Sequence, residues 1–234
     1  GEGAGMVILE ELSHAKKRGA KIYGEIVGYG SSANIHFLCE PKQDSAGIKQ
    51  SIKTACRKAG LNLSDVSYIN ADGIGTVGSD KAETDAIKEV FADNADNIVV
   101  SATKPVLGHT GAAAGAIELI ICAKAIEEGV VPPTINLEEP DADCDLDYCP
   151  KTARKMELNA ALSLNQGVGG QNSALIVKKY KENFEKAFDE DKGEVLKKLV
   201  TSLDNRDLIH KNMQEIFDLE LELKGITREK SLTS

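Results

Sequence analysis

Val66-Ser67-Tyr68-Ile69, followed at once by Asn70-Ala71-Asp72-Gly73-Ile74-Gly75-Thr76, is a short apolar run that stops in a glycine-rich turn. Four apolar-patterned residues bounded by a turn read as a buried strand. Just downstream, Asp80 and Glu83 have the spacing of a capping box and predict a helix from there through Phe91. A glycine turn between a strand end and a helix is where open α/β sheets place their chemistry. An aspartate in that turn is either an active acid or the mark of a lost active residue, and the rest of the chain must decide.

Outward from this stretch the same alternation repeats. Ile22–Val27 reads as a strand ending in Gly28 and Gly30. From Asp44, the residues Ile48, Ile52, Ala55, Cys56 and Ala59 follow helical spacing, and Gly60 stops the helix. Ile98–Ser101 is a further strand, and Gly108-His109-Thr110-Gly111 leads into Ala112–Ile126, which is apolar almost all round. That pattern predicts a central, buried helix whose small residues let neighbouring backbones approach. Its one acid, Glu118, then needs a partner. Val130–Pro150 reads as an extended loop, Ala160–Asn165 as a strand, Gln166–Gln171 as a glycine turn and Ser173–Val177 as a returning strand. The order from residue 22 is β-α-β-α-β-α-β-β, which implies a mixed five-stranded sheet with helices on both faces. Met6–Glu10 is a short apolar run ahead of the basic stretch His14–Arg18.

The chain has 234 residues, 41% of them hydrophobic, enough for one or two domains with a real core. A net charge of -9 argues against a nucleic-acid partner, whose phosphates call for a basic surface. No apolar run is long enough to span a bilayer. The expected location is the cytoplasm, and the opening Gly1-Glu2-Gly3-Ala4-Gly5-Met6 suggests a fragment. The five cysteines Cys39, Cys56, Cys122, Cys144 and Cys149 include no C-x-x-C pair and read as reduced thiols serving as small apolar residues. Cys144 and Cys149 sit in an acidic loop where a metal site is conceivable, but the signal is weak because no histidine is close in sequence, and no metal ligand is assigned. Residues 181–234 are highly charged with spaced apolar positions such as Leu196, Leu199, Leu203, Ile209, Met213 and Ile216. They read as one or two amphipathic helices, either solvated or docking a partner.

Several motifs taken together are specific. They are G-E-G-A-G-M-V-I-L-E-E-L-S-H-A-K-K-R-G-A-K-I-Y at the start, N-A-D-G-I-G-T, K-P-V-L-G-H-T-G-A-A-A-G-A-I-E, V-P-P-T-I-N-L and N-Q-G-V-G-G-Q-N-S-A-L-I. In these, residues 1 to about 180 resemble the C-terminal half of elongating β-ketoacyl-[acyl-carrier-protein] synthases of the thiolase-fold superfamily. The resemblance implies three parts: residues 1–21 ending an N-terminal half, 22–180 forming the C-terminal thiolase-like domain, and 181–234 an extension. It also implies a decarboxylating Claisen condensation, in which a cysteine takes an acyl chain and a malonyl-derived carbanion attacks it. The cysteine would ionise with help from a helix N-terminus, and the developing enolate needs hydrogen-bond donors.

Carried over residue by residue, the resemblance makes His109 one of the family's two histidines. Lys104 and Glu118 become its supports, and Gly167-Val168-Gly169-Gly170 the glycine loop. The pairing gives Glu118 its partner. The other histidine is replaced by Asp72. Of the threonines that hold the phosphopantetheine arm, one is Ile74 and only Thr76 remains. The phenylalanine gate is Val168, and its aromatic neighbour is Gln166. An ionised Asp72 about 4 Å from a developing enolate would raise the barrier by roughly 4 kcal/mol at an effective dielectric near 20, a loss of about a thousandfold. A protonated Asp72 would instead donate. His109 could be only a loop histidine capping the central helix, and Lys104–Glu118 only a buried pair.

The resemblance therefore implies a ketosynthase-family subunit of fatty-acid or polyketide biosynthesis. It is either a degenerate partner shaping the acyl cavity of an active synthase, like a chain-length factor, or a divergent active synthase. No bound cofactor is expected, because substrates would arrive on the phosphopantetheine arm of acyl carrier protein. The expected partners are that carrier protein and a second ketosynthase subunit, in a homodimer or heterodimer. A plain carrier-docking or assembly module that uses the charged tail is the third reading.

Overall fold

The computed structural model describes residues 1–34 and 44–181. Cys39 and the helices expected within residues 182–234 lie outside the described residues. The elements run α1 (Leu12–Lys17), β1 (Glu25–Ala33), α2 (Ala46–Ala59), β2 (Val66–Asn70), α3 (Val77–Phe91), β3 (Val99–Ser101), α4 (Lys104–Leu107), α5 (Ala114–Glu128), β4 (Val130–Val131), β5 (Arg154–Lys155), β6 (Ala160–Gly167) and β7 (Gln171–Lys178). Five strands form one sheet in the order β1-β7-β6-β2-β3, and β4 pairs with β5 separately. β2 is parallel to β3 and to β6, whereas β7 is antiparallel to β6 and to β1. The sheet is thus mixed, with the terminal hairpin read from the glycine turn.

Alternation along the strands divides the core into two layers. Ile69, Leu162, Leu164 and Ile176 face α2 and α3, where Ile48, Ile52, Ile87 and Phe91 meet them. Tyr68, Ala161 and Val177 point the other way, onto Leu119, Cys122 and Ile126 of α5. Helices therefore cover both faces, each burying one apolar stripe.

Three sequence expectations are corrected. β1 does not end at Gly28 and Gly30 but runs through them to Ala33. These glycines are there for packing: a Cβ on Gly28 would stand 2.3 Å from the Ala55 carbonyl oxygen, and one on Gly30 2.0 Å from that of Ser51. Their absence of side chain lets α2 lie directly on the strand. Second, α5 is not buried all round. It starts at Ala114 after a 3-10 turn over Gly111–Ala113, and it buries one face through Ala114, Glu118, Leu119, Cys122, Ala125 and Ile126. Ile117, Ile120 and Ile121 remain half-exposed, alongside an extended N-terminal segment in which a Cβ on Gly5 would stand 2.9 Å from Ala116 Cβ. Third, the Val130–Pro150 stretch is mostly irregular but opens with β4.

The consequence for function is topological. Because β2, β3 and β6 are parallel, their C-terminal ends meet at one edge of the sheet. The loop after β2, the start of α4 after β3 and the end of β6 all gather there.

Candidate active site

Glycine sets the backbone of the loop after β2. Gly73 and Gly75 have φ of +49° and +82°, the left-handed region that glycine enters at little cost. A Cβ on Gly73 would also stand 2.6 Å from Ala102 Cβ. Two acids of α3 then hold the loop by its amides. Glu83 Oε1 accepts the Asp72 N–H at 2.8 Å, Glu83 Oε2 accepts the Gly73 N–H at 3.0 Å, and Asp80 Oδ1 accepts the Gly75 N–H at 3.2 Å.

The capping box expected at Asp80 and Glu83 is therefore not formed. α3 begins earlier, at Val77, with Thr76 at its N-cap, and both carboxylates serve the loop instead. The residue signal was available: Glu83 is an acid among Ala82, Ala86 and Ile87, the same anomaly that made Glu118 stand out.

Asp72, Lys104 and Glu118 come together in the interior, with exposures of 1%, 8% and 2%. The Lys104 ammonium donates to the Asp72 carbonyl oxygen, to Asp72 Oδ1 at 2.8 Å and to Glu118 Oε1 at 2.8 Å. An ammonium has three N–H donors, so all of them are used. Among the described residues, Asp72 Oδ2 is buried with no hydrogen-bond partner, and the Asn165 side chain is the other polar group beside the Glu118 carboxyl. Two carboxylates thus share one cation, and Glu83 lies just behind.

The electrostatics follow. Burial, and then the Asp72 charge, push the Glu83 carboxyl up to about 8. Burial pushes Glu118 up to about 7, although Lys104 pulls it back. Burial alone would depress Lys104, but Asp72 and Glu118 outweigh it and hold the ammonium above its ordinary value. Asp80 is raised by burial. One buried ammonium among three carboxyls favours proton uptake by the cluster.

The other site residues sit on the segments that follow β2 and β3 and at the end of β6. His109 sits exposed on the loop between α4 and α5. Its ring makes no hydrogen bond to Asp72, Lys104 or Glu118 among the described residues. Ile74 and Gln166 are half-buried, Thr76 is exposed, and Val168 is 76% exposed at the β6–β7 turn. Gly169 and Gly170 have φ of +99° and +82° there. Between Lys104, Glu118, Thr103 and Gly108 lies a cavity of about 10 Å³, near the size of one water and far below that of a thioester. Thr103 Oγ1, which sequence reading did not single out, is buried beside this region and has no partner among the described residues. Among the described residues, no group of three His, Cys, Asp or Glu side chains could hold a metal.

A mixed sheet covered on both faces, with a glycine loop, a buried lysine and a helix start at one edge, is the architecture of a thiolase-like ketosynthase half. The chain carries the C-terminal domain of the β-ketoacyl synthase family, matched over residues 23–138. It is 44% identical over 180 residues to 3-oxoacyl-[acyl-carrier-protein] synthase 2 of Rhizobium meliloti, an alignment covering 77% of this chain and 42% of that protein. Among the solved structures similar to this chain are two ketosynthase structures. One is a type II polyketide acyl-carrier protein in complex with its ketosynthase, at TM-score 0.71 and 37% identity, covering 74% of this chain and 42% of that one. The other is the ishigamide ketosynthase/chain length factor, at TM-score 0.69 and 36% identity, covering 73% and 41%. The chain spans less than half the length of these relatives. Within the described residues, no helix is long and apolar enough to cross a membrane.

Proposed function

We propose that this chain is part of a ketosynthase-family subunit whose condensing site has been retired, and that it shapes the acyl cavity of an active β-ketoacyl synthase. One observation carries the reading: Lys104 spends all three of its donors on Asp72 and Glu118. It has none left for a histidine or a substrate. The aspartate that replaces the family histidine is the residue that captures it. Asp72, Ile74 and Val168 depart from the family pattern around one site, which fits a new role better than a single tolerated exchange.

The active partner would be a second ketosynthase subunit, and the acyl chains would come on the phosphopantetheine arm of acyl carrier protein, in the cytoplasm. The protein would hold no cofactor of its own. A homodimer is the corresponding arrangement for the alternative, a divergent but active synthase. That alternative draws support from Asp72 Oδ2, which is buried and has no partner among the described residues. Protonated there, Asp72 would donate to an enolate oxygen rather than repel it.

The test is mass spectrometry of the full-length gene product, alone and with a candidate partner synthase, after incubation with acyl-carrier and malonyl-carrier thioesters. An acyl adduct on the partner alone, with none on this protein, is the expected result. An adduct on this protein together with elongated product overturns it and establishes the divergent enzyme.

A further inference from the structure

Against the glycine loop, between α3 and the segment 134–148, lies a cavity of about 360 Å³. This is within the range of small-molecule sites. It shares no lining residue with the small cavity beside Lys104, although Glu83, which lies behind the Lys104 cluster, is in its wall. Its wall is mainly apolar, with Ile87, Ala102, Pro105 and Leu137 among the lining residues. Its charged lining is of one sign: Asp80, Glu83, Glu139 and Asp141 contribute carboxyls, and among the described residues no Lys, Arg or His lines it.

The two halves of this character point to one ligand chemistry. An apolar wall favours an apolar body. Carboxylates at Asp80, Glu139 and Asp141 favour a positive head and repel a negative one. Neutral hydroxyls are already committed: Thr84 Oγ1 to Tyr148 Oη at 2.5 Å, and Thr134 Oγ1 to the Tyr148 carbonyl at 2.7 Å. Hydroxyls satisfied within the protein give little purchase to a neutral polar ligand. We propose that this cavity binds a small organic cation with an apolar body, an arylalkyl- or alkylammonium. The ligand would rest against Gly73 and Gly75.

Cys144 lines the same cavity and is part-exposed, so it reports occupancy directly. The experiment uses the whole chain. The rate of Cys144 alkylation by iodoacetamide is followed by peptide mass spectrometry, with phenethylammonium, phenylethanol and phenylpropionate as probes. Saturable protection by phenethylammonium is expected, with affinity at least about fivefold weaker for the neutral probe and no protection by the anion. Raising the salt should weaken it. Asp141→Asn should lose about fivefold of the ammonium affinity while leaving phenylethanol unchanged. Leu137→Trp should abolish protection by filling the space. Equal protection by all three probes, or none by the ammonium in the millimolar range, overturns the proposal. Because Asp141 is exposed, its variant keeps the test decisive even if Leu137→Trp does not fold. Neither outcome depends on whether this chain condenses acyl groups.

Discussion

At the scale of single residues, the decisive fact is the stoichiometry around Lys104. One ammonium serves Asp72 and Glu118, both hidden from water. Removing the cation leaves two buried carboxylates unpaired, which costs about 3–5 kcal/mol. Lys104→Met should therefore destabilise by that amount in urea denaturation. Asp72→Asn, which leaves Lys104 paired with Glu118, should cost less than half as much. Equal losses in the two variants would show that Lys104 is not the keystone of the cluster. The same stoichiometry sets a pH dependence. Glu83 and Glu118 hold protons up to about 8 and 7 in the folded chain, whereas the unfolded values are near 4.5. Between these limits the native state binds more protons, so stability falls as pH rises from about 5 to 8. The surface acids Asp145 and Asp147 are lowered by Lys88 and Arg154 and act in the opposite sense, losing their contribution only at lower pH. The urea midpoint should thus be higher at pH 5.5 than at pH 8, and Glu118→Gln should flatten the slope. A midpoint that rises with pH would refute the assignment.

At the scale of elements, close packing of α2 on β1 depends on what Gly28 and Gly30 lack. A methyl at Gly30 would be driven into the Ser51 carbonyl, and overpacking of this kind costs about 1–3 kcal/mol. Gly30→Ala should lower the melting temperature by about 5–10 °C, with Tyr29→Ala on the exposed side as a control that moves it little. An unchanged melting temperature would mean that the helix can retreat. This also explains what was legible in the sequence. Strand and helix identities followed from their apolar periods, and Gly60 ended α2 as expected. Gly28 and Gly30 were misread as a terminus because a glycine says only that a Cβ is unwelcome, and the reason lay in a helix twenty residues later. Asp80 and Glu83 were misread for a related cause: their spacing is local, but their partners are loop amides placed by tertiary register. Glu118 was legible because a buried acid announces its need for a partner, and the resemblance supplied Lys104 as that partner. That Asp72 would claim the same cation was not, since the family pattern has no acid there.

At the scale of the whole molecule, the question is what covers the apolar surface. Met6, Ile8 and Leu9 are 87%, 85% and 73% exposed, and Val106 and Leu107 are 56% and 43% exposed. A Cβ on Gly1 would touch the Leu107 carbonyl, one on Gly5 would touch Ala116, and one on Gly115 would stand 3.2 Å from Asn165 Oδ1. These approaches bring the N-terminal segment, the α4–α5 loop and the outer face of α5 onto one side of the sheet edge. Charged residues are sparse in that group, and proteins rarely leave an apolar patch of several hundred Å² in water. A net charge of -9 favours solubility in general but does not cover a local patch. The chain by itself should therefore associate with rising concentration and bind a hydrophobic dye. Ile8→Asp combined with Leu9→Asp should suppress both effects. Because these side chains are already in water, the double variant should leave the urea midpoint within about 0.5 kcal/mol of the parent. Light scattering across the micromolar range decides it: a monomer at every concentration, with no dye signal, would show that this surface is tolerated as it stands. A midpoint that collapses in the double variant would show that the segment is part of the fold rather than its open face.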